Sequence, residues 1–210
     1  MIEPIFSTPI YRSDDLYPFS QQQKAVLENI DVHSNNGGNL TTKNKQMLDL
    51  PDFDDCKKWI EKHLKEFCTE LEVTKGAEIY ITQSWFNINW KHTRHHSHYH
   101  PNSLISGILY THGNSNEGKA KGTVFFNQSG QGVFGNLQCF SKGNEYTAQK
   151  IVTNFEPGRL VLFPSTLLHE VAETEIDTPR VTLSFNTFFR GEIGDVPNLT
   201  LLDIKWKTIY

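Results

Sequence analysis

Glu78–Trp90 reads EIYITQSWFNINW. In an extended chain successive side chains point to opposite faces, and β-branched and aromatic residues suit a pleated, half-buried surface. The stretch therefore predicts a long strand. One of its faces carries Trp85, Asn87 and Asn89, which suit either a pocket wall or core packing. The same period recurs toward the C-terminus. Leu104–Thr111, Thr123–Asn127, Gln149–Phe155, Arg159–Pro164, Glu170–Thr174 and Arg180–Arg190 are further strand candidates. Polar loops at Gly113–Gly122 and Ser129–Gly135 separate some of them, and no helical pattern intervenes. Closely spaced strands without crossover helices imply an antiparallel sandwich or barrel.

Upstream the pattern changes. Phe53, Cys56, Ile60, Leu64, Phe67 and Leu71 recur every three or four residues, one face of a helix over Pro51–Leu71, with Pro51 suited to its first turn. A second helix starts at Ser20, where Ser20 as N-cap and Gln23 three residues on form a capping pair. Ile5–Tyr11 is broken by Pro9 and reads as an edge strand at best. Asn35–Asn44, NNGGNLTTKN, reads as a polar loop. The expected fold is mainly β with supporting helices, an antiparallel sandwich or barrel in one domain. Residues 1–75 give helical support, 76–190 the strand core and 191–210 a C-terminal tail.

Composition narrows the function. A 210-residue chain suits one domain and is long enough to fold on its own core. Twenty Lys and Arg against 24 Asp and Glu give a net charge of −4, without a basic cluster, so nucleic acid is not the expected partner. The three cysteines, Cys56, Cys68 and Cys139, are widely spaced and odd in number, which excludes a zinc ribbon and argues against a disulfide scaffold. Cys56 lies on the apolar helix face and belongs to the core; the other two carry no functional signal. Aromatic residues make up 12%, which favours β-rich structure. No signal peptide and no run of 18 apolar residues is present, so the expected location is the cytoplasm of a cell or of an infected host, with no membrane partner. A dimer is permitted.

The chemistry concentrates in histidines. Six of the nine lie between residues 92 and 112, densest in RHHSHYHPNS, Arg94–Ser103. In extended chain His96, His98 and His100 share one face, an economical way to bring neutral imidazoles to a metal. Which two of the three bind stays open. A further histidine, His169, stands at the start of a strand, after the turn Pro157–Gly158 and the buried strand Arg159–Phe163. Arg180, Thr182, Ser184 and Asn186 then form a polar stripe along an otherwise apolar strand. That stripe is either solvent-facing or the wall of a ligand cavity with Arg180 at its base, placed to grip a carboxylate.

Three motifs combine here: H-x-H-P-N-S-x-x-S-G-x-x-Y from His98, P-G-x-L-V-x-F-P-S-x-x-x-H-x-V from Pro157, and R-x-T-x-S-F-N from Arg180. Together, over Trp85–Phe189, they resemble the Fe(II)/2-oxoglutarate dioxygenases. More narrowly, the chain is similar to a small oxygenase family common in tailed phages and some bacteria. The resemblance implies a double-stranded β-helix, a jelly-roll sandwich, cupin-like in architecture. It also implies Fe(II) held by His98, His100 and His169, and 2-oxoglutarate as cosubstrate. Its distal carboxylate would be anchored by Arg180 and Thr182, with Tyr110 and Asn102 completing the cosubstrate contacts. The wider superfamily usually has a carboxylate where His100 stands. Three neutral imidazoles would leave the metal at +2 rather than +1.

The implied reaction is oxidative decarboxylation of 2-oxoglutarate to succinate and CO2, coupled through O2 to hydroxylation of a small molecule or a protein residue. Two rivals share the barrel: a three-His dioxygenase that needs no 2-oxoglutarate, and a cupin-like binding module. A zinc hydrolase is disfavoured, because no carboxylate flanks the histidines to act as general base.

Overall fold

The computed structural model describes residues 7–72, 77–112, 121–128, 144 and 146–205. Cys139, the loop Ser129–Gly135 and nearly all of Gly113–Gly122 lie outside the described residues.

The capping signal at Ser20 is realised in α1, Gln21–Glu28. The Ser20 hydroxyl accepts from the Gln23 backbone N–H, and the Gln23 carboxamide accepts from the Ser20 N–H. The same buried carboxamide donates to the Tyr17 hydroxyl, the Asp52 carbonyl and the Asp55 carboxylate, so the cap also docks α1 onto the segment that opens the next helix. Pro51–Phe53 forms a 3-10 turn that leads into α2, Asp54–Glu70. Phe53, Cys56, Ile60, Leu64 and Phe67 are buried, as their spacing predicts. Leu71 is the exception: it caps the helix and is exposed.

Fourteen elements follow one another in chain order: β1 (Tyr11–Arg12), α1, β2 (Val32–Ser34), β3 (Leu40–Thr42), α2, β4 (Ala77–Asn89), β5 (His95–His98), β6 (Ile105–His112), β7 (Lys121–Phe126), β8 (Lys150–Asn154), β9 (Leu160–Pro164), β10 (His169–Val171), β11 (Arg180–Ile193) and β12 (Leu202–Ile204). Two antiparallel sheets result. The larger is ordered β1-β9-β6-β11-β4-β3-β2, with β12 added to β11, and the smaller is β5-β10-β7-β8. From β4 to β11 the chain passes repeatedly between them: β4, β6, β9 and β11 lie in the larger sheet, β5, β7, β8 and β10 in the smaller. That winding is the double-stranded β-helix that the resemblance implies, a form of the antiparallel sandwich the strand pattern predicts.

Three expectations change. Asn35–Asn44 is more than a loop: Leu40–Thr42 is β3, which pairs with β2 and with β4. The N-terminal third is more than helical support, because β1 extends one edge of the larger sheet through β9, and β3 and β2 extend the other. The C-terminal tail does not begin at 191, since β11 runs to Ile193 and β12 folds back on Gly191–Ile193. Short polar strands of three residues carry too few apolar positions to show a period.

The main core lies between α2 and the larger sheet. Ile60, Leu64 and Phe67 pack with Phe86 of β4, Leu109 of β6, Leu160 and Leu162 of β9, and Leu183 and Phe185 of β11. Burying each such side chain stabilises the fold by roughly 1.5–3 kcal/mol. A second cluster, with Ile108, Tyr110, Phe125, Phe155, Val161, Phe163 and Leu167, fills the space between the sheets. The helices thus close the outer face of the larger sheet and leave its inner face for the site. Among the described residues no helix is long and apolar enough to cross a membrane.

Candidate metal and cosubstrate site

β5 and β10 are neighbours in the smaller sheet, and their register sets His98 directly against His169. Their ring centroids are 4.4 Å apart. His100 lies two residues past the end of β5, its N–H donating to the Ser165 carbonyl at 2.9 Å. That bond turns its ring onto His169, with the two Nε2 atoms 3.3 Å apart. His98, His100 and His169 each offer a ring nitrogen within 4.8 Å of the others.

The tautomers follow from the neighbours. His169 Nδ1 lies 2.8 Å from the Leu167 carbonyl and His98 Nδ1 lies 2.7 Å from the His96 carbonyl. A carbonyl only accepts, so Nδ1 carries the proton and Nε2 keeps its lone pair, the arrangement of a metal-ligating histidine. The 3.3 Å between the Nε2 atoms of His100 and His169 is a separation that two ligands of one ion could adopt. Burial, then repulsion from His98, pushes the His169 pKa down to about 3. The same two causes take His100 to about 4, and burial also lowers His98. The rings are therefore neutral at pH 7, as ligation requires. Among the described residues no carboxylate joins the cluster.

His96 does not join this face. It is exposed, and its Nδ1 lies 3.4 Å from the Asn36 carbonyl. His95 takes its place in the pocket wall. The reason is a bulge: His95 and His98 are three positions apart on β5, while their partners on β10, Val171 and His169, are two apart. The extra residue breaks the alternation and turns His95 to the side of His98. Their rings stack at 4.4 Å.

Opposite the histidines stands the polar stripe of β11. Arg180, Thr182 and Ser184 are buried and line the pocket, which settles their side as inward. The β4–β11 register places Asn89 against Arg180, Asn87 against Thr182 and Trp85 against Ser184. Trp85 and Asn87 line the pocket; the Asn87 carboxamide donates to the Ser184 hydroxyl at 3.1 Å. The pocket encloses about 410 Å3 including its mouth, with Ile108, Phe163 and Phe185 as its apolar walls.

Arg180 is 3% exposed, and none of its three guanidinium nitrogens has a hydrogen-bond partner among the described residues. The Tyr110 and Phe155 rings flank it at 5.4 and 5.5 Å. Burial drives its pKa down. A buried cation without an acceptor is costly unless an anion completes it. Tyr110 neighbours Thr182 across the sheet; its hydroxyl bonds Thr123 and Thr153, and its proximity to Arg180 offsets part of the cost of burying that cation without supplying a hydrogen bond of good geometry.

Asn102 stands apart. It is exposed, sits in a turn with φ 55°, and does not line the pocket. Asparagine tolerates that left-handed conformation, which explains the residue without a ligand. Asn39, which the sequence reading passed over, is fully buried with its carboxamide unpartnered among the described residues, as is Asn89. Continuing the β3–β4 register by one residue sets Asn39 against Asn89, beside Arg180. The motif serines also gain a role. Ser165 bonds Ser103 at 2.7 Å and Ser106 at 2.8 Å, and Ser106 donates to Asn186. This network ties the His100 loop to the segment that presents His169.

Comparison with known proteins agrees. The family described as "Putative 2OG-Fe(II) oxygenase" matches residues 83–186, about half of the chain and all of the motifs above. The chain belongs to the 2OG-Fe(II) oxygenase family. No curated protein matches the oxygenase. Among solved structures, it is similar to a 2OG-Fe(II) oxygenase family oxidoreductase from Burkholderia pseudomallei, at 13% identity and TM-score 0.56 over 85% of this chain and 83% of that one. A prolyl-4-hydroxylase from Pseudomonas putida matches at 12% and 0.57, over 86% and 93%. HygX from Streptomyces hygroscopicus, crystallised with nickel, 2-oxoglutarate and hygromycin B, matches at 10% and 0.57, over 86% and 82%. These similarities show the shared fold. Iron and 2-oxoglutarate are the cofactor and cosubstrate of the family, and the oxygenase has a buried place suited to each.

Proposed function

We propose that the oxygenase hydroxylates a C–H bond of a small molecule or a protein residue, converting 2-oxoglutarate to succinate and CO2. His98, His100 and His169 would hold Fe(II), and Arg180 with Thr182 would hold the distal carboxylate of 2-oxoglutarate. The observation that carries this reading is the unpartnered guanidinium of Arg180, buried opposite three neutral imidazoles. Bound Fe(II), 2-oxoglutarate and O2 together supply the oxidant that attacks the substrate.

The chain's own work is placement. The Leu167 and His96 carbonyls hold two rings in the ligating tautomer. Three neutral donors leave the metal its full +2 charge, which favours an anionic cosubstrate more than a site with one carboxylate does. Arg180 neutralises the far carboxylate in a dry setting, where a charge-assisted pair is strong. Phe163 and Ile108 keep water from the reacting centre. We read residues 1–210 as one domain, since α2 shares its core with β4, β6, β9 and β11.

The all-histidine donor set favours a second reading, a dioxygenase that needs no cosubstrate. That reading has no task for Arg180. Titrating 2-oxoglutarate into protein loaded with redox-silent Ni(II) separates the two. Stoichiometric binding, weakened about thirtyfold or more in Arg180→Met, supports the cosubstrate site, since losing one partner of a buried charge pair costs roughly 2–5 kcal/mol. Saturation with metal and no uptake of 2-oxoglutarate supports the rival.

A further inference from the structure

His98 belongs to two clusters. Besides the set with His100 and His169, the ring nitrogens of His95, His96 and His98 lie within 4.8 Å of one another. This second set faces outward: His96 is exposed and His95 is half-buried at the pocket wall. Ring centroids of 5.2 Å between His95 and His96, and 5.4 Å between His96 and His98, resemble the 5.0 and 5.1 Å within the inner set. The outer rings are also held in place. The Asn36 carbonyl lies 3.4 Å from His96 Nδ1, and the Arg94 N–H donates to the Gly37 carbonyl at 3.0 Å; the Asn35 amide N–H, 3.4 Å from His95 Nε2, donates to that lone pair and would yield it to a metal. Gly37 has φ 100°, and a Cβ there would stand 2.5 Å from the Arg94 oxygen, so this glycine permits the clamp.

We propose that His95, His96 and His98 form a second, solvent-facing site for a divalent transition-metal ion, which shares His98 with the inner triad and passes metal to it. The inference rests on the inner-triad reading above. Because Nδ1 of His98 is held by the His96 carbonyl, only Nε2 is free for a metal. One lone pair serves one ion, so the two sites exclude each other on His98. A ring turning on that shared atom exchanges two outer imidazoles for two inner ones without releasing the ion to water. Imidazole donors without carboxylates suit the later first-row divalent ions rather than Mg2+ or Ca2+.

Anaerobic titration with Co(II) tests this, using the full chain. His169→Gln keeps most of the buried ring's volume, and His100→Ala disables the inner set at a half-buried position. Each variant should still take one equivalent of Co(II), more weakly than wild type. Adding His96→Ala to either should cut that residual affinity about tenfold or more, since loss of even an indirect supporting contact costs 10–100-fold. In the otherwise wild-type chain, His96→Ala should leave final Co(II) affinity within about twofold yet slow stopped-flow uptake several-fold. Residual binding that ignores His96, or unchanged uptake, overturns the proposal. The inner triad fails separately: wild-type affinity in His169→Gln that His96→Ala abolishes would remove the inner triad and leave the outer site standing.

Discussion

His98 and His169 face each other across the β5–β10 register, ring centroids 4.4 Å apart, although 71 residues separate them in the chain. The pairing of two short strands therefore sets the metal-site geometry. Replacing either residue by Ala should lower Fe(II) affinity by two orders of magnitude or more, measured by anaerobic titration. The fold should hold for His98→Ala, whose ring is half-buried. Retention of wild-type affinity in both would remove these residues from the ligand set.

Arg180 should cost the empty protein stability. A buried, unpartnered guanidinium replaced by an apolar side chain of similar length is neutral or stabilising by roughly 1–4 kcal/mol. Thermal unfolding of metal-loaded Arg180→Met should start at or above the wild-type midpoint. Added 2-oxoglutarate should then raise the midpoint of the wild type and not of the variant. A large loss of stability in Arg180→Met without ligand would mean that Arg180 is a structural residue.

Ser165 accepts or donates to two serines and, through its carbonyl, positions His100. Ser165→Ala removes only the hydroxyl and leaves Ser103 and Ser106 short of a partner. Ser106 keeps Asn186 and Ser103 keeps the Thr187 N–H, so each lost hydrogen bond costs about 0.5–1.5 kcal/mol. We expect that loss in chemical denaturation, and a drop in metal affinity as the His100 loop loosens. Unchanged metal affinity would limit the network to stability.

Gly107 lies opposite Phe185 on the neighbouring strand, and a Cβ there would meet the ring at 2.0 Å. Gly107→Ala must displace Phe185, which is fully buried and forms part of the pocket wall. Overpacking of this kind costs typically 1–3 kcal/mol. Stability and 2-oxoglutarate affinity should fall together; a wild-type denaturation curve would show that the ring moves freely.

Long periodic segments were readable because their period is set by one large buried surface. The helix face from Phe53 to Phe67 and the alternation of β4 and β11 both face the same core. The capping pair of Ser20 and Gln23 is local and was equally plain. The metal residues stood out because histidine is rare and clustered. Alternation alone put His96 on the wrong face, since a bulge depends on the partner strand and leaves no mark in β5 itself. Asn39 was hidden just before a three-residue strand that carries no period. The motif serines were visible as letters, but their shared network joins residues 62 and 59 positions apart.

The central claim is that neutral histidines and Arg180 together hold Fe(II) and 2-oxoglutarate in one pocket. The most direct measurement is the visible charge-transfer band formed when 2-oxoglutarate is added anaerobically to the Fe(II)-loaded protein. The account predicts a band in the wild type, none in His169→Ala, and in Arg180→Met a band that appears only at much higher 2-oxoglutarate. A wild-type protein with stoichiometric iron and no band would contradict it.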